Sequence, residues 1–295
     1  MTTDNSTTAE DASSGYILYH YDPSMAAAVV FVLVFGASAV LHIYQLSRTR
    51  TWYFVPFVVG CLFEAVGYVG RAMSASEAPD WTLKPYIIQS ILILLGPALY
   101  AASVYMILGR LILLLEAGEY SLIRPNRLTK VFVLGDVLSF FAQGGGGGML
   151  ATAKSPSSVK TGENIIVAGL CIQILFFGFF MIVTMVFHFR HFRHPTPHSY
   201  NIQTPWTKLL WVLYASSLLI MVRSLFRVAE YIEGTEGKLQ SKEMYIYLLD
   251  ALLMGIVSVL FNWFHPSRVI TKRASGLSTV KSTEILDGGY LMERR

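Results

Sequence analysis

Charge is scarce in this chain. Only 14% of its residues are Asp, Glu, Lys or Arg, against about 25% in ordinary globular proteins. Cysteine is nearly missing as well. Cys61 and Cys171 both fall inside apolar runs, which excludes a disulfide framework or a zinc motif and makes both small packing residues. The seven histidines include no HxxHH run, so the multi-histidine iron sites of membrane hydroxylases lack their ligands, and neither a metal nor any other cofactor is expected. Nor is there a GxxxxGK segment followed by Ser or Thr, so active transport has to draw on an ion gradient, a partner or the gradient of the transported compound. The net charge of +4 is spread through short loops and the tail without interleaved aromatics, which argues against a nucleic-acid partner.

What is present is apolar. Hydrophobic residues make up 54% of the chain, and mean hydropathy is +0.50. A helix needs about 20 apolar residues to cross the hydrocarbon core. Seven stretches qualify, near 25–44, 52–71, 85–108, 131–151, 164–188, 206–231 and 243–264. The expected fold is therefore all-α, a polytopic membrane protein of seven transmembrane helices. Its transmembrane domain covers 25–266, between an N-terminal segment (1–24) and a polar tail (267–295). Gly144 to Gly148 interrupts the fourth stretch; Gly144 and Gly148 have the small-xxx-small spacing of closely packed membrane helices.

Basic loops alternate with sparse ones. Residues 1–24 contain no Lys or Arg and lack the basic-then-apolar order of a cleaved signal peptide. Richer loops carry Arg48 and Arg50, then Arg110, Arg124, Arg127 and Lys130, then Arg190 and Arg193, and finally the tail. The positive-inside rule puts the N-terminus outside and the tail in the cytoplasm. That makes Asn5-Ser6-Thr7 a usable glycosylation sequon at Asn5. No internal repeat is evident, and an odd number of spans argues against inverted transporter halves.

A charge at bilayer depth costs roughly 2.5–3.5 kcal/mol on insertion scales, so it persists only when paired or facing a cavity. The sixth stretch ends in Arg223, Arg227 and Glu230, spaced i, i+4 and i+7 on one helical face. Glu64 and Arg71 repeat that one-face spacing on the second. With Asp250 on the seventh, these charges share the outer half and balance in sign. Gln89, Gln143 and Gln173 lie at mid-depth or further out. Two readings are open: ion pairs that lock the helices, or a substrate-binding cavity open to the outer leaflet. In the inner half, Asp136 and His42 form either a proton relay or a local hydrogen bond. Pro97 should bend the third helix and free a carbonyl. His188, His191, His194 and His198 cluster at the cytoplasmic end of the fifth stretch, which reads as an interfacial basic segment with Arg190 and Arg193.

Several of these residues form a familiar order. They are Glu64-x-x-Gly67-Tyr68-x-x-Arg71, then Gln89, Pro97 and Tyr105-x-x-x-Gly109-Arg110, then Phe132-x-x-x-Asp136 with Gln143, and Gly169-Leu170-x-x-Gln173. The set closes with Arg223-x-x-Phe226-Arg227-x-x-Glu230-Tyr231, Gly234, Gly237, Glu243, Tyr247, Asp250 and His265-Pro266. Over about residues 20–266 the chain resembles the fungal RTA-like, or lipid-translocating exporter, family; its run of five glycines departs from the pattern. The resemblance implies a seven-helix protein of plasma or internal membranes. Members are linked to resistance to amphipathic toxins, movement of sphingoid bases, phospholipid asymmetry, secondary-metabolite clusters and porphyrin uptake. The expected function is movement of lipids or amphipathic small molecules across a membrane, the plasma membrane first, without enzymatic activity. The alternative is a lipid sensor. A receptor of the common seven-helix type is disfavoured, since Gly109-Arg110-Leu111 stands where a DRY-like tripeptide belongs and no NPxxY occurs.

Overall fold

The computed structural model describes residues 23–78, 82–153, 155–201, 204–233 and 243–270. These residues are helical throughout, joined by short turns, with no strand among them. We label the helices α1 (Met25–Thr49), α2 (Val55–Ser76), α3 (Leu83–Leu114), α4 (Pro125–Ala151), α5 (Pro156–Arg193), the short α6 (Pro197–Asn201) and α7 (Trp206–Glu233). Helix α8 runs over 243–263 in three pieces: Glu243–Ile246, a π-helical turn Tyr247–Ala251, and Leu252–Trp263. Local chemistry sets the starts. Ser24 caps α1 by accepting from the Ala27 amide, and Ser155 caps α5 by accepting from Ser158. Proline occupies the first turn of α2, α4 and α5, where its missing N–H costs nothing. Glu77, just past α2, accepts from the amide and hydroxyl of Thr82; those bonds hold its carboxyl below the usual range.

Among the described residues, six helical segments are long and apolar enough to cross a bilayer: Met25–Thr49, Trp52–Ser76, Lys84–Leu114, Ser157–Arg193, Trp206–Glu233 and Glu243–Arg268. The chain is therefore an all-α, multi-pass membrane protein. Helix α4, the expected fourth span, has 27 residues, about 40 Å at roughly 1.5 Å per residue. Its length suffices; its apolarity falls short, with Asp136, Gln143 and the glycine run in place of larger apolar side chains.

The glycine run does not break α4, which is continuous through it. Its packing role also differs from the sequence expectation. A Cβ at Gly146 would lie 2.7 Å from the Gly162 carbonyl of α5, whereas one at Gly144 or Gly148 would meet nothing within 4 Å. Only the middle glycine faces the neighbouring backbone.

Helix α1 packs on α2, α2 on α3, α3 on α7, α7 on α8, and α8 back on α1, closing a ring. Helices α4 and α5 pair with each other; α4 leans on α3, and α5 on α3 and α7. The α2–α3 seam is tight, since a Cβ at Gly67 would come 2.6 Å from the Ile93 side chain. At one end of the ring Phe54 and Phe57 stack on each other and meet His42 edge-on, with Tyr100 stacked on Phe57 and Phe261 edge-on to it. Pro97 sits inside α3, so the carbonyl of Ile93, four residues earlier, has no amide to accept from within the helix.

Candidate functional site

The sequence-predicted charges converge where α2, α3, α7 and α8 meet. Arg223 is fully buried. Its Nε donates to Asp250 Oδ1 at 2.6 Å, and Nη2 donates to the Ile93 carbonyl at 2.9 Å. The carbonyl freed by Pro97 is thus taken by the α7 arginine. Arg227 Nη1 donates to Glu230 Oε2 at 2.8 Å and lies 3.8 Å from Asp250 Oδ2, with its guanidinium over the Tyr231 ring. Asp250 sits in the π-helical turn of α8, and such turns often mark functional positions in helices. Breaking one partner of such a buried pair costs about 3–5 kcal/mol, because it leaves an uncompensated charge.

Arg71 belongs to a second tier. Its Nη2 donates to Glu243 at 3.0 Å and its Nε to the Tyr247 hydroxyl at 3.0 Å. The Glu243 carboxylate also accepts from the Ser24 amide, at 2.8 and 3.0 Å. One side chain therefore ties the start of α1 to α2 and α8. Glu243 to Asp250 is a rise of about 10 Å along α8, at roughly 1.5 Å per residue.

With Arg71 committed to Glu243, the deep tier no longer balances. Glu230 and Asp250 hold the two remaining arginines, and Glu64 is the surplus acid. Its side chain is 0% exposed, and neither carboxylate oxygen has a hydrogen-bond partner. It sits against α3, where a Cβ at Gly96 would lie 2.7 Å from Oε1. The charges acting on it are Asp250, Arg223 and Arg227. Two atoms of the arginines, Arg223 Nη1 and Arg227 Nε, are likewise buried without a hydrogen-bond acceptor. The cluster is closed, with Glu64, Arg223 and Asp250 each at most 1% exposed.

The other sequence-predicted residues fall at three further places in the bundle. Gln89 is buried at the α2–α3 seam, with its backbone amide 3.2 Å from the position of a Cβ on Gly70. Gln143 Nε2 donates to Gln173 Oε1 at 3.3 Å and to the Ser139 hydroxyl, joining α4 to α5. Asp136 shares a cavity of about 10 Å³ with these residues, beside α3; space of that size holds a single water at most. The Tyr105 hydroxyl is among its neighbours. His42 stands elsewhere, its Nε2 3.2 Å from the Ser258 carbonyl and its ring among Phe54, Phe57 and His265. Asp136 and His42 thus have separate neighbours. Asn5, Gly234 and Gly237 lie outside the described residues. No three His, Cys, Asp or Glu side chains converge as a metal site among the described residues.

The one-face grouping of Arg223, Arg227 and Glu230 is legible in the sequence, whereas Glu243, Tyr247 and the Ile93 carbonyl as arginine partners are not. A signal existed for Glu243. Glu243, Tyr247 and Asp250 have the same i, i+4, i+7 spacing that singled out α7.

These features define a multi-pass helical membrane protein with a closed ionic cluster inside its bundle. Residues 57–273 match the family model described as RTA1 like protein, and the chain belongs to that family. It is 39% identical over 284 residues to protoporphyrin uptake protein 1 of Saccharomyces cerevisiae, covering 84% of this chain and 92% of that one. It is 30% identical over 281 residues to the probable lipid transporter atnI of Emericella nidulans, covering 90% and 72%. It is 24% identical over 287 residues to the sphingoid long-chain base transporter RSB1 of Saccharomyces cerevisiae, covering 86% and 75%. At the level of the family, the comparisons support lipid-related membrane transport. No solved structure matches the chain.

Proposed function

We propose that this protein moves an amphipathic compound bearing a cationic amine, of the sphingoid-base kind, between membrane leaflets, and that Glu64 receives the amine. The observation that carries this reading is the surplus carboxylate, buried and without a hydrogen-bond partner beside two arginines already committed to Asp250 and Glu230. A buried charge without a partner is expensive. A ligand ammonium supplies that partner, and the apolar helix faces suit its hydrocarbon tail. A phosphate-bearing ligand would turn instead to the buried Arg223 Nη1 and Arg227 Nε. The relatives support an amphipathic cargo, one being a sphingoid-base transporter and another a protoporphyrin uptake protein. In this reading α4 is a seventh span, the N-terminus is outside, the tail is cytoplasmic, and the plasma membrane is the site of action. No catalytic step is required.

The closed state of the cluster favours a second reading, a sensor that binds such a lipid without moving it. Purified protein in phosphatidylcholine vesicles separates the two. A fluorescent long-chain base should cross between leaflets faster than in protein-free vesicles, and Glu64→Gln should remove the acceleration. Binding without acceleration favours the sensor. Unchanged acceleration in Glu64→Gln removes Glu64 from the mechanism.

A further inference from the structure

A groove of about 920 Å³ lies between α5 and α7 at the end of the bundle that carries Arg190 and Arg193. Its size falls in the range of small-molecule sites, about 300–1,000 Å³. On α7 its lining ends at Tyr214, more than two turns before Arg223, and it shares no lining residue with the ionic cluster. We propose that this groove binds one anionic phospholipid, with an acyl chain along its apolar wall and the phosphate at the start of α7.

The wall faces lipid. Phe189, Phe192 and Trp211 are 62%, 79% and 63% exposed, on helices that cross the membrane, so an acyl chain enters sideways without desolvating anything polar. Trp206, Trp211 and Tyr214 mark the depth, since Trp and Tyr concentrate where headgroups meet tails.

The floor is polar. His191 is only 2% exposed, yet neither ring nitrogen has a hydrogen-bond partner. Phe187 stacks on it and Trp206 meets it edge-on, so the ring is held in place with its polar atoms uncommitted. His188 Nδ1 lies 3.2 Å from Tyr214 Oη; when that hydroxyl donates to the Thr184 carbonyl, 3.3 Å away, Nδ1–H is the donor to Oη. In the neutral ring Nε2 then keeps a lone pair. The groove therefore offers a donor-capable imidazole and an acceptor, which suits a headgroup carrying both a phosphate and a hydrogen-bond donor.

Charge at this end selects an anion. Helix α7 begins at Trp206, so the positive end of its dipole lies here, while the Trp206 and Lys208 amides already donate to the Thr204 and Pro205 carbonyls. Lys208 lies between the lining residues Thr207 and Trp211, and Arg193 is one turn beyond Phe189. Both are exposed and long enough to reach a phosphate by snorkelling. The inner leaflet is the source if the orientation proposed above is correct; the binding itself does not depend on it.

The test uses the full chain in phosphatidylcholine vesicles containing a trace of phosphatidylserine with a photoactivatable diazirine on its acyl chain. Labelling should concentrate on the peptide stretches 185–193 and 206–214. Excess phosphatidylserine should compete and further phosphatidylcholine should not. The double variant Arg193→Ala with Lys208→Ala and the single variant His191→Leu should each lower labelling about tenfold, the scale of one lost charge-assisted contact. Val259→Trp, which fills the separate α1–α8 groove lined by Val30, Leu252 and Trp263, should leave it unchanged. Labelling spread evenly over lipid-facing helices, or competed equally by phosphatidylcholine, overturns the proposal. So does chain-to-chain cross-linking through Phe189 and Phe192, which would put a second copy in the groove. Leaflet-to-leaflet movement is measured on the same variants. Intact movement with lost labelling bears on this site alone, and lost movement with intact labelling bears only on the transport reading.

Discussion

Pro97 and Arg223 are joined through a single carbonyl. The proline removes the amide that would bond Ile93 O inside α3, and the Arg223 guanidinium takes that oxygen at 2.9 Å. A helix defect on one element is thus the binding site for a buried cation on another.

Pro97→Ala restores the missing amide and makes it compete with Arg223 for Ile93 O. The variant should be more stable in thermal unfolding, by up to about 3 kcal/mol, the penalty of proline in a helix interior. Its rate of lipid movement should fall, since the restored amide competes for the carbonyl that holds Arg223. A drop in stability would show that the arginine bond outweighs the helix penalty.

Asp250→Ala strands Arg223 and weakens the contact to Arg227, and should cost about 3–5 kcal/mol in unfolding measurements. Replacing both members, Asp250→Leu with Arg223→Leu, should recover most of that loss while abolishing transport. Additive losses in the double variant would mean that the pair is not coupled.

Glu243→Ala removes the acceptor of the Ser24 amide and of Arg71 Nη2 together, while Arg71 Nε keeps its bond to Tyr247. Faster amide exchange is expected across the first turn of α1, with the middle of that helix unaffected. Arg71→Ala alone should leave the Ser24 amide protected, which separates the two tasks of the carboxylate.

Two adjacent glycines of the α4 run should respond oppositely to an added methyl. Gly146→Ala drives a methyl to 2.7 Å from the Gly162 carbonyl and should destabilise the α4–α5 pair. Gly147→Ala meets nothing within 4 Å and should stabilise α4 by roughly 0.5–1 kcal/mol through lost unfolded-state freedom. Thermal unfolding in detergent reads both.

Reporter fusions at the two termini decide whether α4 crosses the membrane. Seven spans put the ends on opposite sides, and six put them on the same side. The expected result is a glycan on Asn5 removable by endoglycosidase in intact cells, with the tail reporter accessible only after permeabilisation.

The sequence carried the helices and the one-face grouping of Arg223, Arg227 and Glu230, because helical periodicity is local. It carried the freed carbonyl in α3 for the same reason. It did not carry which acid meets which arginine. That depends on how α2, α7 and α8 slide past one another, a register set by side-chain packing across the bundle. The one-face spacing of Glu64 and Arg71 suggested that they act together, whereas Arg71 turns to Glu243 on another helix. The glycine run misled in the same way. Small-xxx-small spacing named Gly144 and Gly148, but the rotation of α4 against α5 presents Gly146.

The bundle's closure on itself has a mechanical consequence. Helices α1, α2, α3, α7 and α8 form a hoop, and a hoop has no loose edge for cargo to slip around. Anything that passes between its interior and the surrounding lipid must push apart a pair of adjoining staves. The α2–α3 joint has little slack, since backbone and side chains already meet at its glycines. Glu243 is the clasp, holding the first stave to the second and the last. Whatever unfastens that carboxylate sets how wide the hoop can spring.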